Sequence, residues 1–267
     1  MSGWARTLLV WGVAAGGWAA AAAPDATQLL SQSIAADEEN RKKSVYWLYH
    51  EAIVARLLEK DRVRQQSETT YEVLFLEGQP YFRLTTRNGQ PLSKAEEDAE
   101  EARMQRVAAE RRAAPNHIVV SERPRLAILY RVVPETHHVT LAGSEVIDGR
   151  DTWRIVAKPK RALAVREARV METRAVELTI WLDKQSLMRV KQEAVATRNA
   201  GRFRKGDRVT HWFQPHPEAG GAKPTWLVSR ITFRRPLGKD DVSEVDQLYS
   251  NYRRFVADSR ISPDTQD

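Results

Sequence analysis

Histidine and carboxylate side chains are the first residues in this sequence whose types and spacing could support chemistry. His211 and His216 lie close together in the chain, and Glu218 follows soon after. Imidazole and carboxylate groups bind zinc, but a zinc site needs at least three converging ligands. The spacing leaves two interpretations open, a metal site that joins these three side chains or ordinary exposed or hydrogen-bonded histidines. We favour the second and predict no metal site and no cofactor.

Other catalytic patterns are weak or absent from the sequence. His137 and His138 are adjacent, so in a strand they point to opposite faces and cannot share one ion. The chain lacks the G-x-S-x-G, G-x-x-x-x-G-K-[ST], G-x-G-x-x-G and H-E-x-x-H motifs. It also lacks cysteine, which excludes disulfides, thiol catalysis and cysteine-ligated metals. The sequence therefore predicts a protein that is not an enzyme and has no catalytic residues. A hydrolase without a recognisable motif is the weakest alternative.

The tryptophan residues suggest binding more than the titratable groups do. Two interpretations stay open, since these side chains either fill a core or line a cavity for an acyl chain or another apolar segment. Strand alternation places Ile180 and Leu182 on one face and Trp181 on the other. Beyond the first 22 residues, all the tryptophans lie in strand-like segments: Trp47, Trp153, Trp181, Trp212 and Trp226. The predicted ligand-contacting residues are Phe75, Phe82, Trp153, Ile155, Ile180 and Leu182.

The elements that would position these residues are mostly strands joined by short turns. Helices are predicted over 24–44 and over 94–113, where Ser93 and Glu96 form a capping box. Because its apolar stripe is only alanine, the second helix should lie weakly docked across an edge or mouth of the sheet. Strands are predicted over 45–49, 68–77, 81–86, 118–120, 126–133, 138–147, 152–158, 178–182, 187–196, 209–214, 226–235 and 247–256.

This order predicts a mainly β fold of the α+β type. Since helices do not alternate with the strands along the chain, a parallel sheet is not expected, and a large curved antiparallel sheet or unclosed β-barrel is predicted. It should contain about ten strands, with two or three helices on the concave side or at the mouth.

The first 22 residues resemble a cleavable secretory signal peptide. Arg6 precedes an apolar run over 8–13, and alanines at 20–22 end the segment. We expect residues 1–22 to be removed, so that the exported protein begins at Ala23 or within a few residues of it. The predicted location is therefore the periplasm, with no lipid anchor because the chain has no cysteine. Residues 23–267 are expected to form a single domain.

Local segments resemble the LolA/LolB-like superfamily, the periplasmic proteins of the outer-membrane lipoprotein-sorting type. The best match is the strand–turn–strand segment 178–189, and 149–155 fits the superfamily's pattern of a glycine turn that leads into a strand. The resemblance implies a half-barrel with helices at its mouth and an apolar interior. The charged insert over 91–113 departs from the lipoprotein carriers and resembles other members of the superfamily.

The net charge of the chain does not narrow the predicted partners to one class. The chain has a formal net charge of +7, and its densest basic segment, 198–208, reads as a loop that is either solvated or in contact with an anionic membrane surface. Export makes nucleic acid an unexpected partner, and the oligomeric state is not predicted. The leading hypothesis is a non-catalytic protein that binds a lipid, an acyl chain or a lipidated partner protein. The alternative is a structural or interaction module of the cell envelope with a closed core.

Overall fold

The computed structural model describes residues 24–113, 130–161 and 167–255. The predicted signal peptide and the predicted strand over 118–120 lie outside the described residues. Among those residues, no helix is long and apolar enough to cross a membrane.

Eleven strands form one sheet in which every neighbouring pair is antiparallel. The strands are β1 Trp47–Glu59, β2 Arg62–Leu76, β3 Gln79–Arg87, β4 Gln90–Pro91, β5 His137–Ile147, β6 Arg150–Pro159, β7 Val176–Asp183, β8 Arg189–Ala196, β9 Arg208–His216, β10 Thr225–Pro236 and β11 Asp241–Arg254. The helices are α1 Ala26–Ser44, α2 Lys94–Ala113, α3 Val133–Thr136 and α4 Ala168–Thr173.

The strand order is linear, with β4 at one edge of the sheet and β5 at the other, so the sheet does not close into a barrel. The order is β4-β3-β2-β1-β11-β10-β9-β8-β7-β6-β5. Strand β11, the last in the chain, pairs with β1 and so joins β1–β4 to β5–β10. This arrangement confirms the predicted mainly β fold with an unclosed antiparallel sheet. The described residues contain eleven strands, where about ten were expected, and four α-helices, where two or three helices were expected.

Two-residue turns set the register of several hairpins. Asn88 and Gly89, and likewise Asp148 and Gly149, have positive φ at both positions, as a type I′ turn requires. These two turns confirm the prediction from the sequence.

One stretch of predicted strand is wrong. The prediction over 126–133 fails at its described end, because Tyr130–Val132 is a 3₁₀ turn and α3 begins at Val133. Pro134 lies in the first turn of that helix, where its missing N–H costs nothing. Tyr130 is buried, and its hydroxyl donates to Ser33 Oγ at 2.9 Å. The residues from Tyr130 to Thr136 thus form a 3₁₀ turn and a short helix against the core and do not pair with the sheet.

Helix α1 packs across one face of the sheet, which we call the inner face. Asp25 caps its first turn by accepting from Thr27 N at 2.9 Å, and the helix contacts both β5 and β10. Leu29 and Leu30 enter the main core, whose other fully buried members come from α3, from β6 to β9 and from the loop after β8. They are Val133, Ile155, Ala157, Val176, Leu178, Ile180, Leu182, Ala194, Phe203 and Val209.

Helix α2 lies along the free edge of β3, as its composition predicts. Glu100 Oε1 accepts from Leu84 N, Arg103 donates to Phe82 O, and Arg111 donates to the carbonyls of Leu76, Gln79 and Pro80. These side chains satisfy backbone groups that an exposed edge strand would offer to another chain. The predicted capping box is present, since Ser93 N donates to Glu96 Oε2 at 3.0 Å.

Candidate ligand cavity on the inner face

A cavity of about 360 Å³ lies on the inner face beside the C-terminal half of α1. Strands β1, β8, β9, β10 and β11 form the rest of its wall. The lining residues are Asp37, Asn40, Arg41, Ser44, Trp47, Tyr49, Met188, Arg189, Phe213, Trp226, Leu227, Val228, Ile231, Tyr249 and Tyr252. Most of this wall is aromatic or aliphatic, and its charged groups come from α1 and β8.

The aromatic wall depends on an irregularity in β11. Tyr249 and Tyr252 both line the cavity although residues three apart in a regular strand face opposite sides. The pairing of β1 with β11 shifts register between Leu48 and His50, and Asn251 has a φ of 52°. This bulge turns Tyr252 back to the inner face. There the ring of Tyr49 lies 5.5 Å from that of Tyr249 and 5.4 Å from that of Tyr252.

Two charged residues of the wall, Asp37 and Arg189, form an ion pair. Arg189 Nη2 donates to Asp37 Oδ1 at 2.7 Å, and its Nη1 donates to Gln192 Oε1 at 2.8 Å. The guanidinium also lies over the rings of Tyr130 and Phe213, 4.2 and 4.6 Å from their centroids. Arg189 therefore joins α1, the sheet and the 3₁₀ turn next to the cavity.

A second contact fixes the end of α1 to the first residues of β10. The side-chain amide of Asn40 donates to Trp226 O and accepts from Trp226 N, both at 2.7 Å. Both backbone groups of Trp226 are thus satisfied by one helix residue. The contact holds the helix over the cavity and places the Trp226 ring in its wall.

The buried side-chain polar atoms of the wall that lack hydrogen-bond partners are donors. Among the described residues, Arg41 has no ion-pair partner, and the buried Nε1 of Trp47 and Nε of Arg189 have no hydrogen-bond partner. A ligand that complements this wall would bring apolar surface together with hydrogen-bond acceptors or negative charge.

His211 lies on the inner face behind the cavity. It is opposite Gln192 on β8 and Ile231 on β10, next to Phe213 of the wall. Burial, with a smaller effect from the charge of Arg189, lowers the pKa of His211 to about 4. Burial also lowers the pKa of His216, whose ring lies 4.6 Å from that of Tyr252. Both imidazoles are therefore neutral at neutral pH.

The alternative metal site receives no support from the geometry. Glu218 pairs with Thr225 and Arg254, and within the described part of the chain no three His, Asp or Glu side chains converge as metal ligands do.

The residues predicted from the sequence to contact a ligand fall in two places, and none of them lines this cavity. Ile155 pairs with Ile180, and Trp153 with Leu182, on the inner faces of β6 and β7. Ile155, Ile180 and Leu182 are fully buried in the main core, and Trp153 packs against it. Phe75 and Phe82 lie on β2 and β3, several strands away, where the ring of Phe75 is 5.0 Å from that of Phe255. Ligand contact by these six residues stays a prediction.

Sequence reasoning missed most of the cavity wall. Trp47 and Trp226 belong to the tryptophan set that the sequence singled out, and both line the cavity. Trp181 faces away from Ile180 as alternation predicts, and its Nε1 donates to Glu145 Oε2 at 2.8 Å. The wall residues that the sequence did not single out include Asp37, Phe213, Tyr249 and Tyr252.

Comparison with known proteins gives only distant structural matches. No family model matches the chain, and no curated protein matches it. A DUF1329 family protein from Desulfovibrio piger is 13% identical, with 87% of this chain and 94% of that chain covered and a TM-score of 0.41. A LolA superfamily protein from Nitrosomonas europaea is 12% identical, with 87% and 94% covered and a TM-score of 0.35.

The solved structures that match include a third protein, from Vibrio parahaemolyticus. It is a putative outer membrane lipoprotein-sorting protein domain, 12% identical, with 85% of this chain and 94% of that chain covered and a TM-score of 0.35. The matches thus include the superfamily that the sequence resembles.

Proposed function

We propose that this chain is a non-catalytic envelope protein that binds an acyl chain in the cavity beside α1. The acyl chain belongs to a free lipid or to a lipidated partner protein. Binding would rest on burial of apolar surface against the aromatic wall, without covalent chemistry. The predicted signal peptide supports export to the periplasm.

The observation that carries this proposal is the cavity itself. Its volume of about 360 Å³ falls within the range of about 300–1,000 Å³ that is usual for small-molecule sites. Such sites are mostly apolar with a few placed polar groups, and this wall has that composition. The rings of Tyr49, Tyr249 and Tyr252 are packed against one another, so the wall is formed before a ligand arrives.

A closed-core module is the second candidate, and a specific observation favours it. Ile155, Ile180 and Leu182, the centre of the interior that the sequence predicts to be open, are fully buried beneath Leu29 and Leu30 of α1. Helix α1 thus fills the β6–β7 part of the inner face. If the protein is a closed-core module, side chains would also fill the cavity beside α1 in solution, and no ligand would enter.

Titration with a fluorescent fatty acid, cis-parinaric acid, separates the two candidates. Val228→Trp adds an indole to a residue of the cavity wall, so we expect it to weaken binding by at least about tenfold, since the volume is lost. Val63→Trp is the matched control, because Val63 is exposed at the opposite end of the sheet. Binding that is saturable in the wild type and in Val63→Trp but lost in Val228→Trp supports the proposal. No saturable binding, or equal binding by all three proteins, contradicts it.

A further inference from the structure

Three large apolar side chains are exposed together where α1 meets β1. Val45 and Tyr46 are each 52% exposed, and Phe255 is 40% exposed. Phe255 N donates to Tyr46 O at 2.7 Å, and Val45 precedes Tyr46 in the chain, so the three residues lie close together at this end of the sheet; we call them the patch. Exposed apolar residues that lie together and are bordered by polar residues mark protein or membrane interaction sites.

Basic residues of α1 directly precede this patch. Its last turn carries Arg41, Lys42 and Lys43, followed by Ser44 and then by the patch. We call Lys42, Lys43, Val45, Tyr46 and Phe255 the rim. Lys42 pairs with Glu39 in an exposed i,i+3 contact, and Lys43 Nζ lies 3.5 Å from Lys223 O.

Three acidic groups near the rim form ion pairs, and one of these is Glu39 with Lys42 of the rim itself. Asp37 pairs with Arg189, and Glu218 pairs with Arg254. Among the described residues, Arg41 and Lys43 have no acidic partner, so two cations beside the patch are not neutralised by an ion pair.

The rim adjoins the wall of the cavity. Ser44 and Trp47, which flank Val45 and Tyr46 in the chain, both line the cavity. A partner that contacts the rim therefore lies next to the site where an acyl chain would be held.

From these observations we propose that the rim docks the protein on an anionic lipid bilayer. Tyr46, Val45 and Phe255 would enter the interfacial layer, and the lysines would contact lipid phosphates. Aromatic residues favour the membrane–water interface, and basic residues beside them add attraction to anionic lipid. The function proposed above is not needed for this docking, but docking would bring the cavity to the lipid surface.

The size of the patch favours a membrane over a protein partner. Three partly exposed side chains offer a few hundred Å² at most, since a fully buried aromatic residue contributes about 150–250 Å². A stable protein–protein interface buries about 800 Å² on each partner. A bilayer needs no such area, because each inserted side chain and each lysine adds to the attraction separately.

Co-sedimentation with vesicles tests the proposal. We expect the wild type to bind vesicles of phosphatidylglycerol and phosphatidylcholine at least about tenfold more tightly than vesicles of phosphatidylcholine alone, and salt to weaken this binding. The double variants Lys42→Gln with Lys43→Gln, and Val45→Ser with Tyr46→Ser, should each lose about tenfold. The controls Val63→Ser and Leu237→Ser should bind as the wild type does. Val63 and Leu237 are 53% and 56% exposed and lie at the opposite end of the strands.

The outcomes separate this proposal from the function proposed above. None of the four substituted rim residues lines the cavity, so their variants should bind cis-parinaric acid as the wild type does. Rim variants that bind vesicles more weakly but still bind cis-parinaric acid as the wild type does support the docking surface. Equal binding to both kinds of vesicle, or equal losses in the controls, overturns it even if fatty-acid binding is intact. A photo-crosslinker at position 46 that captures a protein from the envelope, without vesicle binding, also overturns it.

Discussion

Asp37 of α1 and Arg189 of β8 form an ion pair at 2.7 Å between residues that are far apart in the chain. Both line the cavity, and the Arg189 guanidinium is stacked on the rings of Tyr130 and Phe213. This single arginine therefore connects the helix that covers the inner face with the strands that form the cavity floor.

Breaking this pair should loosen α1. Asp37→Asn leaves the mostly buried Arg189 without its carboxylate, so we expect the free energy of unfolding to fall by about 1–3 kcal/mol. The control is Glu39→Gln, whose exposed pair with Lys42 should contribute less than about 1 kcal/mol. Urea denaturation measures both, and equal losses would mean that the Asp37–Arg189 pair does not hold the helix.

Ile180 should belong to the closed part of the interior. Ile180→Arg places a charge in the main core without a partner, so we expect a large drop in Tm. Leu248→Arg is the control, because Leu248 is exposed on another strand of the same sheet. A near-native Tm for Ile180→Arg together with lost fatty-acid binding would instead place the open cavity at Ile180.

Helix α2 should exchange its amide hydrogens faster than the sheet. Its apolar stripe is alanine, and its docking rests on polar contacts from Glu100, Arg103 and Arg111 to the edge of β3. Hydrogen exchange should show less protection over 94–113 than over 71–86 or 178–195. Arg111→Met removes the donor for three carbonyls and should lower protection further, whereas Arg106→Met should not. Equal protection of helix and sheet would mean that α2 is deeply packed.

His211 should make stability fall in acid. Its pKa is about 4 in the folded protein and about 6.5 when unfolded, so the unfolded chain binds more protons between these values. The contribution of the neutral imidazole is present above pH 6.5 and is lost as the pH falls towards 4. The loss is at most about 1.4 kcal/mol per pH unit. Urea denaturation of wild type and His211→Gln should show a weaker pH dependence in the variant over this interval, and parallel curves would contradict the assignment.

Local signals were enough to predict the architecture. The Ser93–Glu96 capping box and the charge order of 94–113 gave the bounds of α2, and paired turn residues such as Asn88 and Gly89 gave the hairpins. The length of β1 was missed, because its residues after Tyr49 mix charged and apolar types without a strict alternation. These residues pair on both sides, with β2 and β11, and that long-range pairing outweighs the local pattern.

The cavity wall could not be predicted from the sequence for a similar reason. Alternation correctly placed Ile155, Ile180 and Leu182 on one face, but it does not reveal which part of that face a helix fills. The bulge at Asn251 places Tyr249 and Tyr252 on the same side against the expected period. The pairing of Asp37 with Arg189 joins distant segments and leaves no local signal.

Native mass spectrometry of the protein purified from the periplasm tests the central claim most directly. The account predicts a species heavier than the polypeptide by the mass of a lipid or a lipidated peptide, which dissociates on activation. Val63→Trp should retain this adduct and Val228→Trp should lose it, since Val228 lines the cavity and Val63 does not. Wild-type protein that carries no adduct, and that gains none when it is incubated with fatty acid or phospholipid, would contradict the account and favour a closed core.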